Sequence, residues 1–319
     1  MKHKLSAEIN YVVVGHTGYI GSALTNKLSK NNNGLILGIS RGKKKFKNIY
    51  EKSNLIEINC DIFTNSINND HIFQIRPIVY IAAHNIQTNF LYKRESLENI
   101  YFNNIEYYKI LMGNLKKLNP KKIIFLSSAG SLYDNSQKSN PSHENSILNP
   151  TSNYGISKFI LENLLNSFSM EYCIPLTICR LSTVYGNSPS IKKFGFINYL
   201  INCSQTNNIP YLYGESTYRD YLNLEDLIEI LTKISEINLI NNIYNVSNGT
   251  SYSCLQIYKK VKEKLEEKGY KLRQYENKGL RSGENSKIFI SPLKLINEMK
   301  FVPKISIDEG IKRITMELN

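Results

Sequence analysis

No stretch of the 319 residues approaches the roughly 18 apolar residues in a row that a membrane-spanning helix needs, and Met1–Asn10 lacks the apolar centre of a secretory signal. The expectation is a soluble, cytoplasmic protein with no membrane partner. Cysteine is scarce: Cys60, Cys173, Cys179, Cys203 and Cys254 are an odd set without a C-x-x-C pair, which argues against a disulfide framework or a zinc site. They read as reduced, mostly buried thiols, and no metal is expected. Acidic residues are the shorter charge class, 27 against 40 Lys and Arg, leaving a formal charge of +13 that attracts anions over a distance. Those cations are spread along the chain, and no zinc-finger, basic-zipper or RNA-binding aromatic signature interleaves with them, so nucleic acid is not the expected partner. Internal repeats and flexible linkers are also missing. With 41% hydrophobic residues, the chain has enough apolar material for one large or two modest domains packed directly together.

What is present begins with an apolar run, Tyr11–Val14, then Gly15-His-Thr-Gly18-Tyr-Ile-Gly21 and an amphipathic stretch from Ser22 to Lys30. That is strand, glycine turn, helix. Further β-branched runs over 34–40, 55–59, 77–83, 122–128 and 175–181 predict strands, and helical patterns lie over 100–117 and 154–172. Apolar runs with few alternating polar positions suit strands covered on both faces, which implies a parallel sheet between helices. Beyond about Tyr185 the spacing predicts helices over 196–206, 224–237 and 254–268, a short strand over 209–213 and a last helical pair from Pro292.

Gly15, Gly18 and Gly21 stand where a strand turns into a helix and where a pyrophosphate must approach backbone N–H groups without interference from a Cβ. Tyr19 and Ile20 belong to the same segment. A dinucleotide site normally places an acid about 20 residues on, to hold the adenosine ribose, whereas an Arg there accommodates a 2′-phosphate. Between Glu8 and Glu51 there is no acid, and the second strand ends in Ser40-Arg41-Gly-Lys-Lys-Lys45. A hydroxyl and a guanidinium favour NADP(H), with NAD(H) as the alternative.

Tyr154-Gly-Ile-Ser-Lys158 sets a phenol and an ammonium on one helix face, where the cation favours the phenolate and lowers a pKa from about 10 toward the range of a general acid or base. The pattern is common by chance among 22 tyrosines, and it recurs at Tyr258 and Lys262, but that copy lies in a highly charged helix. Upstream, the strand 123–126 ends in Ser127-Ser-Ala-Gly-Ser131, at the sheet end where ligands of open parallel sheets gather.

Taken with Cys60-Asp61-Ile62, Ala82-Ala83, Asn104-Ile105, Arg180-Leu-Ser-Thr-Val-Tyr-Gly186, Arg219-Asp-Tyr221, Tyr244-Asn-Val246 and Arg281-Ser-Gly-Glu284, these motifs make the chain resemble the extended short-chain dehydrogenase/reductase family, in its nucleotide-sugar epimerase, dehydratase and reductase branch. The resemblance covers nearly the whole chain. It implies an α/β fold, a Rossmann-type doubly wound parallel sheet over 1–180 with a smaller C-terminal α/β substrate domain over 181–319, the segment near 222–250 returning to the first. It assigns Tyr154 as acid/base, Lys158 as its electrostatic partner and binder of the nicotinamide ribose, and Asn104 as support for the active-site helix. Asp61 and Ile62 would lie by the adenine, and Ala82 and Ala83 beside the nicotinamide. Arg219 and Arg281 look like the grip on a substrate diphosphate, Glu284 stands where an Asp holds nucleotide ribose, and Thr183 replaces the usual Asn of the sugar-contacting motif. A surface ion pair of Arg219 with Asp220 is the plainer reading of that arginine. A homodimer is the family's common state.

Departures from the family pattern narrow the reaction. Ala129 holds the catalytic Ser/Thr position, so Ser128 or Ser131 must donate to the reacting oxygen. Gly130 and Ser131 replace the Asp-Glu of 4,6-dehydratases, and the Cys and His of 3,5-epimerase/reductases have no counterpart, the last histidine being His143. Hydride transfer at one carbon of a nucleoside-diphosphate sugar remains. NADPH-dependent reduction of a 4-keto sugar is the favoured reading, an NAD-dependent 4-epimerase the alternative, and a non-catalytic dinucleotide sensor the third.

Overall fold

The computed structural model describes residues 9–31, 34–41, 54–67, 76–83, 97–134, 141–189, 194–237, 242–280 and 286–318, with backbone alone over 97–104. The apolar Tyr11–Val14 run forms β1 (Ile9–Val14), and the glycine turn delivers the chain into α1 (Tyr19–Asn31). There follow β2 (Leu35–Ser40), β3 (Leu55–Asn59), β4 (Ile78–Ile81), α2 (Leu97–Leu118), β5 (Lys122–Ser128), a single turn α3 (Ala129–Leu132), α4 (Asn153–Tyr172) and β6 (Leu176–Leu181). The later chain forms β7 (Thr183–Tyr185), α5 (Gly195–Gln205), β8 (Tyr211–Leu212), β9 (Tyr218–Asn223), α6 (Leu224–Glu236), β10 (Asn242–Val246), β11 (Ser251–Ser253), α7 (Cys254–Glu266), β12 (Glu276–Asn277), α8 (Leu293–Met299) and α9 (Ile307–Met316).

Seven strands make one sheet in the order β10-β6-β5-β4-β1-β2-β3. Strand β1 runs parallel to both β2 and β4, and the pairs β2·β3 and β4·β5 are parallel as well. The order reverses direction at β1, so the carboxyl ends of β1 and β4 open the crevice where such sheets hold ligands. This is the doubly wound Rossmann-type α/β architecture. Its core packs Val12, Val14, Leu37, Ile39, Val79, Ile81, Ile123 and Phe125 against Leu111, Leu115, Leu161 and Leu165 of α2 and α4.

The chain divides into two compact units, one of residues 1–127, 153–179 and 231–243, the other of 128–152, 180–230 and 244–319. The second has its own sheet, β11-β9-β7, and a core built on Leu200, Tyr221, Ile257, Val261 and Ile311. Strands β7, β9 and β11 have no counterpart among the sequence-predicted elements. They are three to six residues long and carry Arg219, Asp220 and several hydroxyls, so no apolar alternation marks them. The thiols need a correction: Cys179 and Cys203 are buried, Cys60 and Cys254 half-buried, and Cys173 exposed. Cys173 sits just past α4 with φ 52°, in the turn that ends the helix, where no core forms around it. Among the described residues, no helix is long and apolar enough to cross a membrane.

Candidate active site

Gly15 takes φ 84°, open to glycine at little cost, and its N–H donates to the Ile39 carbonyl at 2.7 Å, pinning the turn to β2. A Cβ on Gly21 would lie 2.0 Å from the Gly15 carbonyl oxygen, so a side chain there would push α1 off the turn. The first turn of α1 carries no acid, which leaves the positive end of its dipole available to an anion. A cavity of about 250 Å³ opens beside it, bounded by Gly15 and Gly18, by Ser40 and Arg41, and by Asp61 and Ile62. Ala82 and Ala83 complete the wall, and Val14, Thr17, Ile39, Cys60 and Phe63, which the sequence does not assign to the cofactor, line it too. Tyr19 is instead buried in the core, and Tyr19, Ile20 and Gly21 do not border the cavity. A glycine-lined cradle at a helix N-terminus, with Ser40, Arg41 and Asp61 as polar groups on its wall, has the chemistry that a dinucleotide needs. Residues 42–45 lie outside the described residues.

On α4, Tyr154 is half-buried and Lys158 buried. The Lys158 Nζ donates to the Leu126 carbonyl at 2.7 Å and lies 4.8 Å from the centre of the Phe125 ring and 5.7 Å from that of Tyr154. Burial drives the Lys158 pKa down to about 7, and Glu162, one turn along, pulls it back up. The helix is held in place by Tyr108 of α2, whose fully buried hydroxyl donates to the Ser157 carbonyl at 3.0 Å. The family resemblance assigns that support to Asn104. The side chain of Asn104 lies outside what is described, but Tyr108 follows it by one helical turn, and the i, i+4 spacing was the available signal.

In the second unit, the chain leaves β5 through α3. Ala129 is fully buried, and Ser128 caps the turn without a side-chain hydrogen bond to it. The Ser131 hydroxyl is buried with no hydrogen-bond partner among the described residues, as is that of Ser127 in the first unit. Buried hydroxyls without a partner are uncommon, and Thr177 Oγ1 is another among the described residues. The turn is anchored by Tyr133, whose hydroxyl donates to Asn245 Oδ1 at 2.6 Å and accepts from Arg180 at 3.1 Å. The Asn245 N–H in turn donates to the Glu144 carboxylate at 2.9 Å.

A second cavity, of about 450 Å³, lies within this unit. Thr183 and Arg219 line it, as do Phe196, Tyr199, Tyr211 and Tyr213. Asp220 faces away: its carboxylate accepts the N–H groups of Asn248 (2.9 Å) and Gly249 (2.7 Å), and burial pushes its pKa up to about 6. The ion pair of Arg219 with Asp220 is therefore corrected, because neighbouring side chains of a strand point to opposite faces. Arg281 and Glu284 lie outside the described residues.

The sequence model of the NAD dependent epimerase/dehydratase family matches residues 11–247. The chain belongs to this family. It is accordingly an enzyme. A putative UDP-glucose 4-epimerase of Methanocaldococcus jannaschii is 28% identical across 95% of this chain and 96% of its own length. A UDP-glucose 4-epimerase of Thermotoga maritima, solved with UDP-glucose, is 25% identical with a TM-score of 0.81, covering 97% of this chain and 100% of that one. The UDP-glucuronic acid 4-epimerase of Bacillus cereus, solved with UDP-glucuronic acid and NAD, shares the fold at 23% identity, a TM-score of 0.78 and coverage of 97% and 99%.

Proposed function

We propose that this family member is a nucleoside-diphosphate-sugar 4-epimerase that works on a retained NAD. The likeness to UDP-glucose 4-epimerases across 95% of the chain carries this reading over the 4-keto reductase. The ground for NADPH is also weaker than the sequence suggests, because Arg41, its main support, stands 3.9 Å from the Asp61 carboxylate. Dehydration stays disfavoured, with Gly130 and Ser131 where that chemistry needs two carboxyl groups.

In this reading Gly15, Gly18, Ser40, Asp61, Ile62, Ala82 and Ala83 hold the dinucleotide. Bound there, NAD supplies reversible hydride storage, which lets a sugar carbon be oxidised and reduced without net consumption. Tyr154 removes the proton of the 4-hydroxyl and later returns it, and Lys158 tunes that phenol. Of Ser128 and Ser131, Ser131 is the better candidate to steady the oxygen, since its hydroxyl is buried and has no partner among the described residues, as is also true of Ser127. Arg219 and Thr183 serve the diphosphate and the sugar, with the aromatic wall of the second cavity taking the base. A homodimer belongs to the same reading, supported by the exposed apolar Ile105 on α2 and Met170 and Tyr172 on α4.

The test is to incubate purified protein with UDP-glucose, UDP-N-acetylglucosamine or UDP-glucuronic acid, without added cofactor, and to separate the 4-epimers by chromatography. Interconversion is expected, and Tyr154→Phe should cut it by about 10²- to 10⁴-fold while bound dinucleotide is kept. Consumption of NADPH on a 4-keto nucleotide sugar, without interconversion, would restore the reductase. Bound dinucleotide with neither interconversion nor NADPH consumption would point to a sensor, and unimpaired interconversion by Tyr154→Phe would remove the phenol from its role.

A further inference from the structure

We infer that His16 is a positioning residue of the dinucleotide site: its imidazole lies over Gly38 and straps the pyrophosphate-binding turn to Glu57 on the edge strand of the sheet. The inference rests on the dinucleotide reading of the first cavity and goes beyond it, since none of these three residues borders that cavity.

The sheet prepares the place. Strand β2 pairs Gly38 with Val13 of β1 on one side and with Glu57 of β3 on the other, and β3 ends the sheet. Register partners share a face, so Glu57 extends on the face opposite Leu37 and Ile39, and Gly38 puts no side chain between it and the turn. Glycine inside a strand often marks a close approach. Here a Cβ on Gly38 would stand 2.6 Å from His16 Cγ and 2.9 Å from His16 Nδ1. The ring of His16, a residue 1% exposed, fills the space that a side chain at 38 would take, and its Nε2 lies 2.8 Å from Glu57 Oε1. A carboxylate only accepts, so Nε2 carries the proton and donates. Nδ1 is buried with no hydrogen-bond partner among the described residues, which leaves the bond to Glu57 as the polar anchor of the ring.

The same residue is confined from the side of α1. A Cβ on Gly21 would lie 3.0 Å from His16 Cα, and the Gly18 N–H donates to the Gly15 carbonyl at 2.9 Å across the turn. A turn with glycine at 15 and 18 has more conformational freedom to lose on ordering than one built of other residues. Fixing residue 16 between α1 and β3 removes part of that freedom in advance. The N–H groups then stand ready for a pyrophosphate, and less ordering is left to the binding step. The Glu57 side chain is 47% exposed, so the outer end of the strap can be altered without opening the core.

The experiment titrates NADH and NADPH, by cofactor fluorescence, into the 319-residue chain freed of bound nucleotide, with circular dichroism and thermal melts of the same proteins. His16→Ala should weaken binding about tenfold, the scale of one hydrogen bond to a charged group, with an unchanged circular dichroism spectrum. Both dinucleotides carry the pyrophosphate, so the factor should be the same for each. His16→Gln, whose amide can still donate to Glu57, should recover most of the loss. Glu57→Gln, which keeps an acceptor, should bind nearly as well as the unaltered protein, whereas Glu57→Leu should match His16→Ala. Gly38→Ala should weaken binding in the unaltered chain, where the methyl group displaces the ring, and have no further effect in His16→Ala, where that space is empty. Should His16→Ala fold poorly, the two Glu57 variants give the answer from the sheet edge. Unmoved affinity in His16→Ala and Glu57→Leu, even with a lower melting temperature, overturns the inference and leaves the dinucleotide reading standing. So does a loss no smaller in His16→Gln and Glu57→Gln than in His16→Ala. Binding of neither nucleotide by the unaltered protein overturns the dinucleotide reading and this inference with it.

Discussion

Burial works against the ammonium of Lys158, and the stability cost that follows depends on pH. The folded pKa of about 7 lies well below the 10.5 of a free lysine, so between those values the unfolded chain binds a proton that the folded chain does not. The penalty is therefore full below pH 7 and disappears as pH rises toward 10.5. Lys158→Met should raise the melting temperature at pH 7, by a gain on the order of 4 kcal/mol at most, and the gain should shrink by pH 10, while turnover is lost. Thermal melts of both proteins at the two pH values check this, and an equal gap at both would remove the buried-charge account. The placement of Tyr154 and Lys158 together on α4 was legible because helical spacing alone sets it. Which serine is buried was not, because burial of Ser127, Ser128 and Ser131 depends on the fold and is not written in a run of hydroxyls.

At the scale of elements, the strand, glycine turn and helix of the first 31 residues could be read from their order, since a buried apolar run, a φ that glycine adopts readily and an amphipathic stretch follow one another. The tertiary detail adds which glycine is indispensable to packing. At Gly21 a methyl group would meet the Gly15 carbonyl at 2.0 Å, backbone against backbone with no flexible side chain to yield. Gly21→Ala should therefore displace α1 from the turn and weaken NADH binding by at least about tenfold, since the N–H groups of the turn no longer converge on the pyrophosphate. Fluorescence titration reads it, and unchanged affinity with an intact circular dichroism spectrum would show that the turn tolerates the shift. By contrast β9 was illegible. Its six residues alternate Arg219 toward a cavity and Asp220 toward the backbone of Asn248 and Gly249, and two polar neighbours give no periodic signal.

At the scale of the molecule, each of the two compact units has a cavity of its own, and the chain passes between them several times. Ligands for the two should therefore leave separate footprints. NAD should slow amide hydrogen exchange around residues 14–18, 39–41 and 60–63, and UDP should slow it around 195–199, 211–221 and 254, with little exchange of effects between the sets. Hydrogen-exchange mass spectrometry with each ligand alone decides it, and protection by UDP confined to the first set would overturn the assignment of the second cavity.

Order along the chain and residue type were enough to establish the α/β class, the glycine turn, the helix that carries Tyr154 and Lys158, and the family, because all of these depend on local spacing and on chemistry that a side chain carries with it. The fate of charge was decided by folding. Arg41 reads as a phosphate binder until the loop after β3 brings Asp61 to it, and Asp220 reads as a partner of Arg219 until the strand turns the two to opposite faces. Electrostatic roles belong to pairs, and a linear chain does not state which of its charges will meet.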